Sequence, residues 1–223
     1  MSQEKIPFVR QPFVVAIDGP AASGKGTLAR RLARYFDLRY LDTGSLYRAV
    51  AAKAIQLGVS FDHVQHITQA AKLITESDLR SHLLRSEEVG QMASKVAAIP
   101  EVRAALLAYQ REFAYTGAGA ILDGRDIGTV VCPNSDIKLF VTASLEARAM
   151  RRYKELHQND NSAIYERVLQ DLRERDVRDQ GRAVAPLAKA QGAVVIDTTD
   201  LDADAVFERI VALIHSSLQG NIS

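Results

Sequence analysis

The sequence predicts an α/β protein: a central, mostly parallel five-stranded sheet with helices on both faces. Three observations carry that expectation. Short strand-like runs recur at 13–17, 39–42, 119–123, 136–141 and 193–197, with helical stretches between and after them, and this alternation is the pattern of parallel strands joined by crossovers. Phe13-Val14-Val15-Ala16-Ile17 is apolar on both faces, as a strand covered by helices on either side must be. Apolar residues make up 47% and charged residues 25% of 223 residues, a composition that supplies a sizeable core.

Each element follows from a local pattern. The first strand stops at Asp18-Gly19-Pro20, and Leu28, Leu32, Tyr35 and Phe36 then mark a helix over about Lys25–Asp37. Arg39–Asp42 reads as a short second strand, with Thr43 or Ser45 capping a helix that runs to Gly58. From Phe61 to about Thr116 the pattern is helical, broken near Arg80 and at Pro100. Gly119–Asp123, Asp136–Val141 and Ala193–Asp197 read as buried strands, and Val206, Ile210, Leu213 and Ile214 share one face of a last helix. Two segments stand outside the sheet. Residues 43–117 form a helical excursion, while residues 148–182, with nine Lys/Arg and seven Asp/Glu, are too charged for a core layer. The expected organisation is one unit, 1–223: a core of 13–42, 118–147 and 183–223, a substrate flap at 43–117 and a mobile lid at 148–182.

Charge and cysteine usage narrow the function classes. Lys plus Arg count 28 against 27 Asp plus Glu, which gives no general affinity for polyanions and argues against a nucleic-acid partner. The single Cys132 cannot form an intrachain disulfide, which fits the reducing cytoplasm, and before Pro133 it reads as a packing residue. His63, His66, His82, His157 and His215 lack metal-ligand spacing. Met1-Ser2-Gln3-Glu4-Lys5 leads to an apolar run, Phe13–Ile17, far short of the roughly 20 residues that span a membrane. Near-neutral charge without a long exposed heptad leads us to expect a monomer.

Gly19-Pro20-Ala21-Ala22-Ser23-Gly24-Lys25-Gly26-Thr27 sits where a strand turns into a helix, the context of a phosphate-binding loop. Glycines let backbone N–H groups converge on phosphate oxygens, the helix N-terminus adds partial positive charge, and Lys25 can bridge terminal phosphates. Asp18 is a candidate electrostatic cap for this loop. Asp123 closes the third strand, where its carboxylate can order a metal's waters or merely form the turn before Gly124. Gly124-Arg125-Asp126 then places a cation and a carboxylate at the carboxyl edge of the sheet. No Asn-Lys-x-Asp motif for reading guanine is present.

The Gly-Lys-Gly-Thr ending resembles nucleoside monophosphate kinases, and further blocks sharpen the likeness. Thr43-Gly44-Ser45-Leu46-Tyr47-Arg48, Ala93-Ser94-Lys95-Val96-Ala97-Ala98, Val102-Arg103, Asp123 through Val131, and Glu174-Arg175-Asp176 through Arg182–Leu187 are together similar to bacterial cytidylate kinases, in order, from Val14 to Asp197. The resemblance implies a P-loop nucleoside monophosphate kinase fold and phosphorylation of CMP, with dCMP, by ATP. It implies magnesium held largely through water, with Asp123 and Thr27 as the residues nearest its shell. It places Arg48 and Arg125 on the acceptor phosphate, Thr43 and Tyr47 beside the sugar or phosphate, and Arg175, Asp179 and Arg182 on the ribose and transferring groups. Asp126, Arg103 and Ser94 suit cytosine, whose N4 donor lies beside the N3 and O2 acceptors.

By similarity to the wider kinases, Arg148 stacks on adenine and Arg152 meets ATP phosphates, with Arg151 as a substitute. A surface array four residues apart is the plain alternative. Lys25, Arg125, Arg175 and Arg182 then form the catalytic cation set, completed by Asp123. Two departures stand out: residues 73–92 are too few for the β-rich insertion many relatives carry, and Ala22 replaces a glycine of the adenylate kinase loop. Kinases of the same architecture acting on UMP, AMP or shikimate are rival readings, as is a nonenzymatic module that binds ATP alone.

Overall fold

The computed structural model describes residues 12–60, 63–158 and 163–220. Phe61, where the helical pattern running to about Thr116 is expected to begin, Met1–Lys5, and residues 159–162 of the charged segment lie outside the described residues.

β1 (Phe13–Asp18) forms the middle of a sheet ordered β2-β3-β1-β4-β5, with β2 (Arg39–Asp42), β3 (Gly119–Gly124), β4 (Ile137–Thr142) and β5 (Val194–Asp197). Every pairing is parallel. Successive side chains of a strand point to opposite faces, so β1 divides its apolar run between two cores. Val15 and Ile17 pack with Leu28 and Leu32 of α1 (Lys25–Tyr35) and with Ile210 and Ile214 of α9 (Ala203–Gly220). Val14 and Ala16 pack with Val50 of α2 (Thr43–Gln56) and with Val102 and Leu106 of α6 (Pro100–Tyr115). All six β1 residues are consequently buried.

Register brings the carboxyl ends together: Asp18 lies opposite Gly124, and Asp42 opposite Asp123. From β1 the neighbouring strands run to β3 on one side and β4 on the other, which opens a crevice at that edge. The turn leaving β1 demands glycine. Gly19 has φ 154, and a Cβ there would lie 1.9 Å from the Val141 carbonyl oxygen.

The structure corrects several boundaries. Asp42, rather than Thr43 or Ser45, caps α2, its side chain accepting the Ser45 N–H at 3.2 Å. α2 ends at Gln56. The excursion comprises α3 (Val64–Lys72), α4 (Glu76–Leu79), a 3-10 turn (His82–Arg85), α5 (Glu87–Val96) and α6. Besides the breaks near Arg80 and Pro100 there is one at Thr75, whose side chain and Asp78 form a reciprocal cap at the start of α4. β4 begins at Ile137 because the Asp136 side chain is turned to β1, where it accepts the Val14 N–H at 2.8 Å.

α7 (Leu145–His157) and α8 (Tyr165–Gln180) pack on each other through a small apolar cluster, Ala149, Val168 and Leu172, that includes Ala21 of the loop after β1. Among the described residues no helix is long and apolar enough to cross a membrane.

Candidate active site

The loop after β1 delivers Lys25 to the first turn of α1, where its Nζ donates to the Pro20 carbonyl at 3.1 Å. Burial lowers the Lys25 pKa and Arg125 adds to the effect, while Asp123 and Asp42 oppose it. Asp123 stands opposite, on β3. Tyr40 Oη donates to its Oδ1 at 3.2 Å, and Thr43 Oγ1 donates to its main-chain carbonyl at 2.8 Å. Burial, reinforced by Asp42, raises the Asp123 pKa, and Lys25 and Arg125 partly offset it. A Cβ on Gly26 would lie 3.2 Å from Asp123 Oδ2, so a hydroxyl side chain after Lys25 would crowd this carboxylate. Ala22 holds a left-handed φ of 57, the conformation that a glycine takes more easily.

Lys25 and Asp123 face into a cavity of about 300 Å³. Every residue assigned from the sequence to catalysis or to the acceptor lines it, from Thr43, Tyr47 and Arg48 to Arg175 and Arg182. Four of its arginines are held by carboxylates. Arg48 pairs with Asp42, and Arg103 with Asp126. Arg103 also donates to the Ala97 carbonyl at 3.1 Å and lies over the Tyr47 ring. Arg125 Nε donates to Asp179 Oδ2 at 2.7 Å, and Arg182 pairs with Asp179 Oδ1. Burial would raise the Asp179 carboxyl, but Arg125, Arg182 and Arg175 outweigh it and hold the group at about 2. The Arg182 Nε is buried without a hydrogen-bond partner, a donor aimed at nothing the protein provides. Ser94 does not join the Arg103–Asp126 pair; its Oγ donates to Asp179 Oδ1 at 3.2 Å.

Other assigned residues fall elsewhere. Arg148 offers no open face for a base: it is 5% exposed, donates to the Ala143 and Ala21 carbonyls at 3.0 and 3.3 Å, and grips Asp176 with two bonds at 3.1 and 2.6 Å. The adenine-stacking role is therefore corrected to one of tying α7, α8 and the phosphate loop together. Arg152 pairs with Glu155 at 2.9 Å and lines neither of the two cavities. The substitute Arg151 does line the second, of about 310 Å³, together with Ser23, Gly24, Thr27, Leu28 and Thr198. It donates to Thr198 Oγ1 at 3.0 Å. Thr27 is thus on the second cavity and apart from Asp123. Gly19 and Pro20 shape the turn into the loop and line neither cavity.

Asp18 does not cap the loop. Its two oxygens accept the Ile127 and Gly128 N–H groups at 2.7 and 2.8 Å, and it anchors a π-helical turn, Ile127–Val131, directly after Arg125-Asp126. Burial moves its carboxyl up to about 7 against those two donors. Cys132 is buried, and burial raises its thiol to about 11, in keeping with a packing residue.

Three positions that organise the surroundings of the cavity escaped sequence reasoning. Asp42 lines the cavity, caps α2 and holds Arg48; an Asp three residues before Ser45 is a capping signal that could have pointed to it. Asp176 grips Arg148, and Arg178 reaches α5, donating to Gln91 Oε1 at 3.0 Å and to Ser94 Oγ at 3.4 Å. No local pattern distinguishes those two from their charged neighbours.

Comparison with known proteins bears on this geometry. Residues 15–216 match the family described as cytidylate kinase. Over 206 residues the chain is 57% identical to the cytidylate kinase of Paramagnetospirillum magneticum, an alignment covering 91% of this chain and 98% of the relative. Over 205 residues it is 52% identical to that of Methylocella silvestris, covering 92% and 95%. A crystal structure of an uncharacterized protein from Eubacterium ventriosum shares the fold at TM-score 0.50 and 12% identity, covering 92% of this chain and 99% of the other.

Proposed function

The chain belongs to the cytidylate kinase family and phosphorylates CMP with ATP; from that premise we propose that residues 43–117 are the acceptor flap, residues 148–182 the lid, and the cavity between them the CMP site. The observation that carries this reading is the content of one cavity: Lys25 at the phosphate loop, Arg125 and Arg182 around Asp179, and the Arg103–Asp126 pair.

In the reaction an oxygen of the CMP phosphate attacks the γ-phosphorus in line, and the bond to the ADP leaving oxygen breaks. A phosphate monoester with a second pKa near ~6 is mostly dianionic at neutral pH, so no side chain needs to remove a proton. The chemical task is to bring two polyanions together and stabilise charge on the group in flight. Arg48 and Arg125 hold the acceptor phosphate, Thr43 and Tyr47 orient it, and Lys25, Arg175 and Arg182 surround the transferring group. Planar guanidinium forks suit paired phosphate oxygens. Asp126, held by Arg103, takes the cytosine amino group, Ser94 stands near the base, and Asp179 takes ribose hydroxyls. UMP would set a carbonyl against the Asp126 carboxylate.

The donor phosphates lie on backbone N–H groups of Ala21 to Thr27. The second cavity, with Leu28, Arg151 and Leu201 on its walls, suits the adenine. Asp123 and the neighbouring Asp42 offer the hard oxygen donors that magnesium takes through water, and a cation there would counter the burial and the Asp42 repulsion that together raise the Asp123 pKa. When bound with ATP, magnesium neutralises phosphate charge; Asp123 would order its waters. A monomer in the cytoplasm completes the proposal, the reducing compartment supported by a lone, buried thiol.

An ADP-release assay across CMP, dCMP, UMP, AMP and shikimate tests the acceptor site. CMP and dCMP should lead, with UMP disfavoured by the roughly 1–3 kcal/mol that one good base-edge pair supplies. Equal or faster transfer to UMP or AMP would overturn the role of Asp126. In the same assay Arg182→Ala should lower turnover by about 10²–10³ with ATP affinity retained; equal losses in both would remove Arg182 from the transition state.

A further inference from the structure

Two helices from opposite sides of the cavity meet at one polar junction. α5 contributes Gln91 and Ser94; α8 contributes Arg178 and Asp179. The side chains of Arg175 and Asp179 on α8, and of Arg182 just past its end, line the cavity, whereas Arg178, on the flank of that face of α8, does not. Its guanidinium reaches across to Gln91 Oε1 at 3.0 Å and Ser94 Oγ at 3.4 Å.

Donor chemistry gives this junction a direction. An arginine only donates, so the Ser94 oxygen accepts from Arg178 and its own proton turns to Asp179 Oδ1, 3.2 Å away. Asp179 is 1% exposed, and its oxygens receive Arg125 Nε at 2.7 Å and Arg182. One chain of contacts therefore runs from α5 through Arg178, Ser94 and Asp179 to two arginines of the phosphate site.

We propose that Arg178 is a positioning residue for phosphoryl transfer: it latches α8 to α5 and orients Ser94 and Asp179, so that seating CMP against α5 sets Arg182 in place. The inference rests on the flap-and-lid reading of residues 43–117 and 148–182. It assigns Arg178 no contact with either nucleotide. Its removal should therefore leave donor binding intact while uncoupling the acceptor side from the lid.

Kinetics and hydrogen exchange of Arg178→Ala, Arg178→Lys and Gln91→Ala test the latch. Arg178→Ala should lower kcat about tenfold and raise KM for CMP several-fold, with KM for ATP changed less than about twofold. Arg178→Lys, which keeps a donor but loses the fork, should recover part of the loss. Gln91→Ala should show the same pattern more weakly, and the double variant with Arg178→Ala should be no worse than Arg178→Ala alone. CMP alone should slow exchange in both α5 and α8 of the native protein, but only in α5 of Arg178→Ala. If CMP leaves native α8 unprotected, the flap-and-lid reading falls and the latch with it. If CMP protects α8 equally in native protein and variant, or KM rises equally for both nucleotides, the latch alone is wrong. Should Arg178→Ala not fold, Gln91→Ala and Arg178→Lys carry the same comparison.

Discussion

Asp179 carries more of the site's electrostatics than any other single side chain. Arg125 and Arg182 pair with it, Arg175 adds to their field, and together they hold its carboxyl at about 2. The unfolded chain protonates an aspartate near ~3.9, so the folded pKa is depressed. Stability from this group is then complete above about pH 4 and is lost as pH falls toward 2. Two units correspond to about 2–3 kcal/mol. Urea unfolding between pH 4 and 2 should show a shallower loss of stability for Asp179→Asn than for the native chain; parallel curves would mean that Asp179 is not the responsible group. The arginines themselves were legible from their place in distinctive sequence blocks. Their pairing with carboxylates was not: Asp42, Asp126 and Asp179 come from β2, the turn after β3, and α8, and only tertiary contact reveals which cation each one holds.

At the scale of elements, the π-helical turn after β3 matters most. Arg125 and Asp126 precede it directly, and Asp18 pins its first two N–H groups. Asn in place of Asp18 can accept one of those donors but sets its own amide hydrogens against the other. A buried unmatched donor costs about 1–3 kcal/mol. Asp18→Asn should thus lower unfolding stability by that order and reduce kcat through displacement of Arg125; loss of stability with unchanged kcat would confine Asp18 to a structural role. Asp18 had seemed to serve the phosphate loop because the two are adjacent in sequence, but its partners lie 109 and 110 residues away. β1, β4 and β5 were legible because apolar β-branched runs need no partner to be recognised. The α2 cap and the start of β4 were missed by a residue or so, since Asp42 and Asp136 use side chains where a strand pattern registers only backbone.

The whole molecule assembles one cavity from the loop after β1, the helices after β2, the edge of β3, and α8. A ligand seated there touches all of them and binds only the folded chain. CMP at about 100 times its Kd should add about 2.7 kcal/mol to unfolding stability, measured in urea; no change would mean that CMP does not enter this cavity. The architecture could be anticipated from alternating elements and the phosphate loop, and the residues that share the first cavity from five ordered blocks. Which of Arg148, Arg151 and Arg152 faces the second cavity could not, because that depends on how α7 rolls against its neighbours.

That roll has a mechanical outcome. Arg148 hooks the Ala21 carbonyl on one side and Asp176 on the other, so the C-terminal half of α8 and the loop after β1 are tied to each other through α7. If α8 opens as the lid proposed above, that tie would tug at the loop proposed to hold the donor phosphates, coupling unloading of the product to the same movement that readmits solvent.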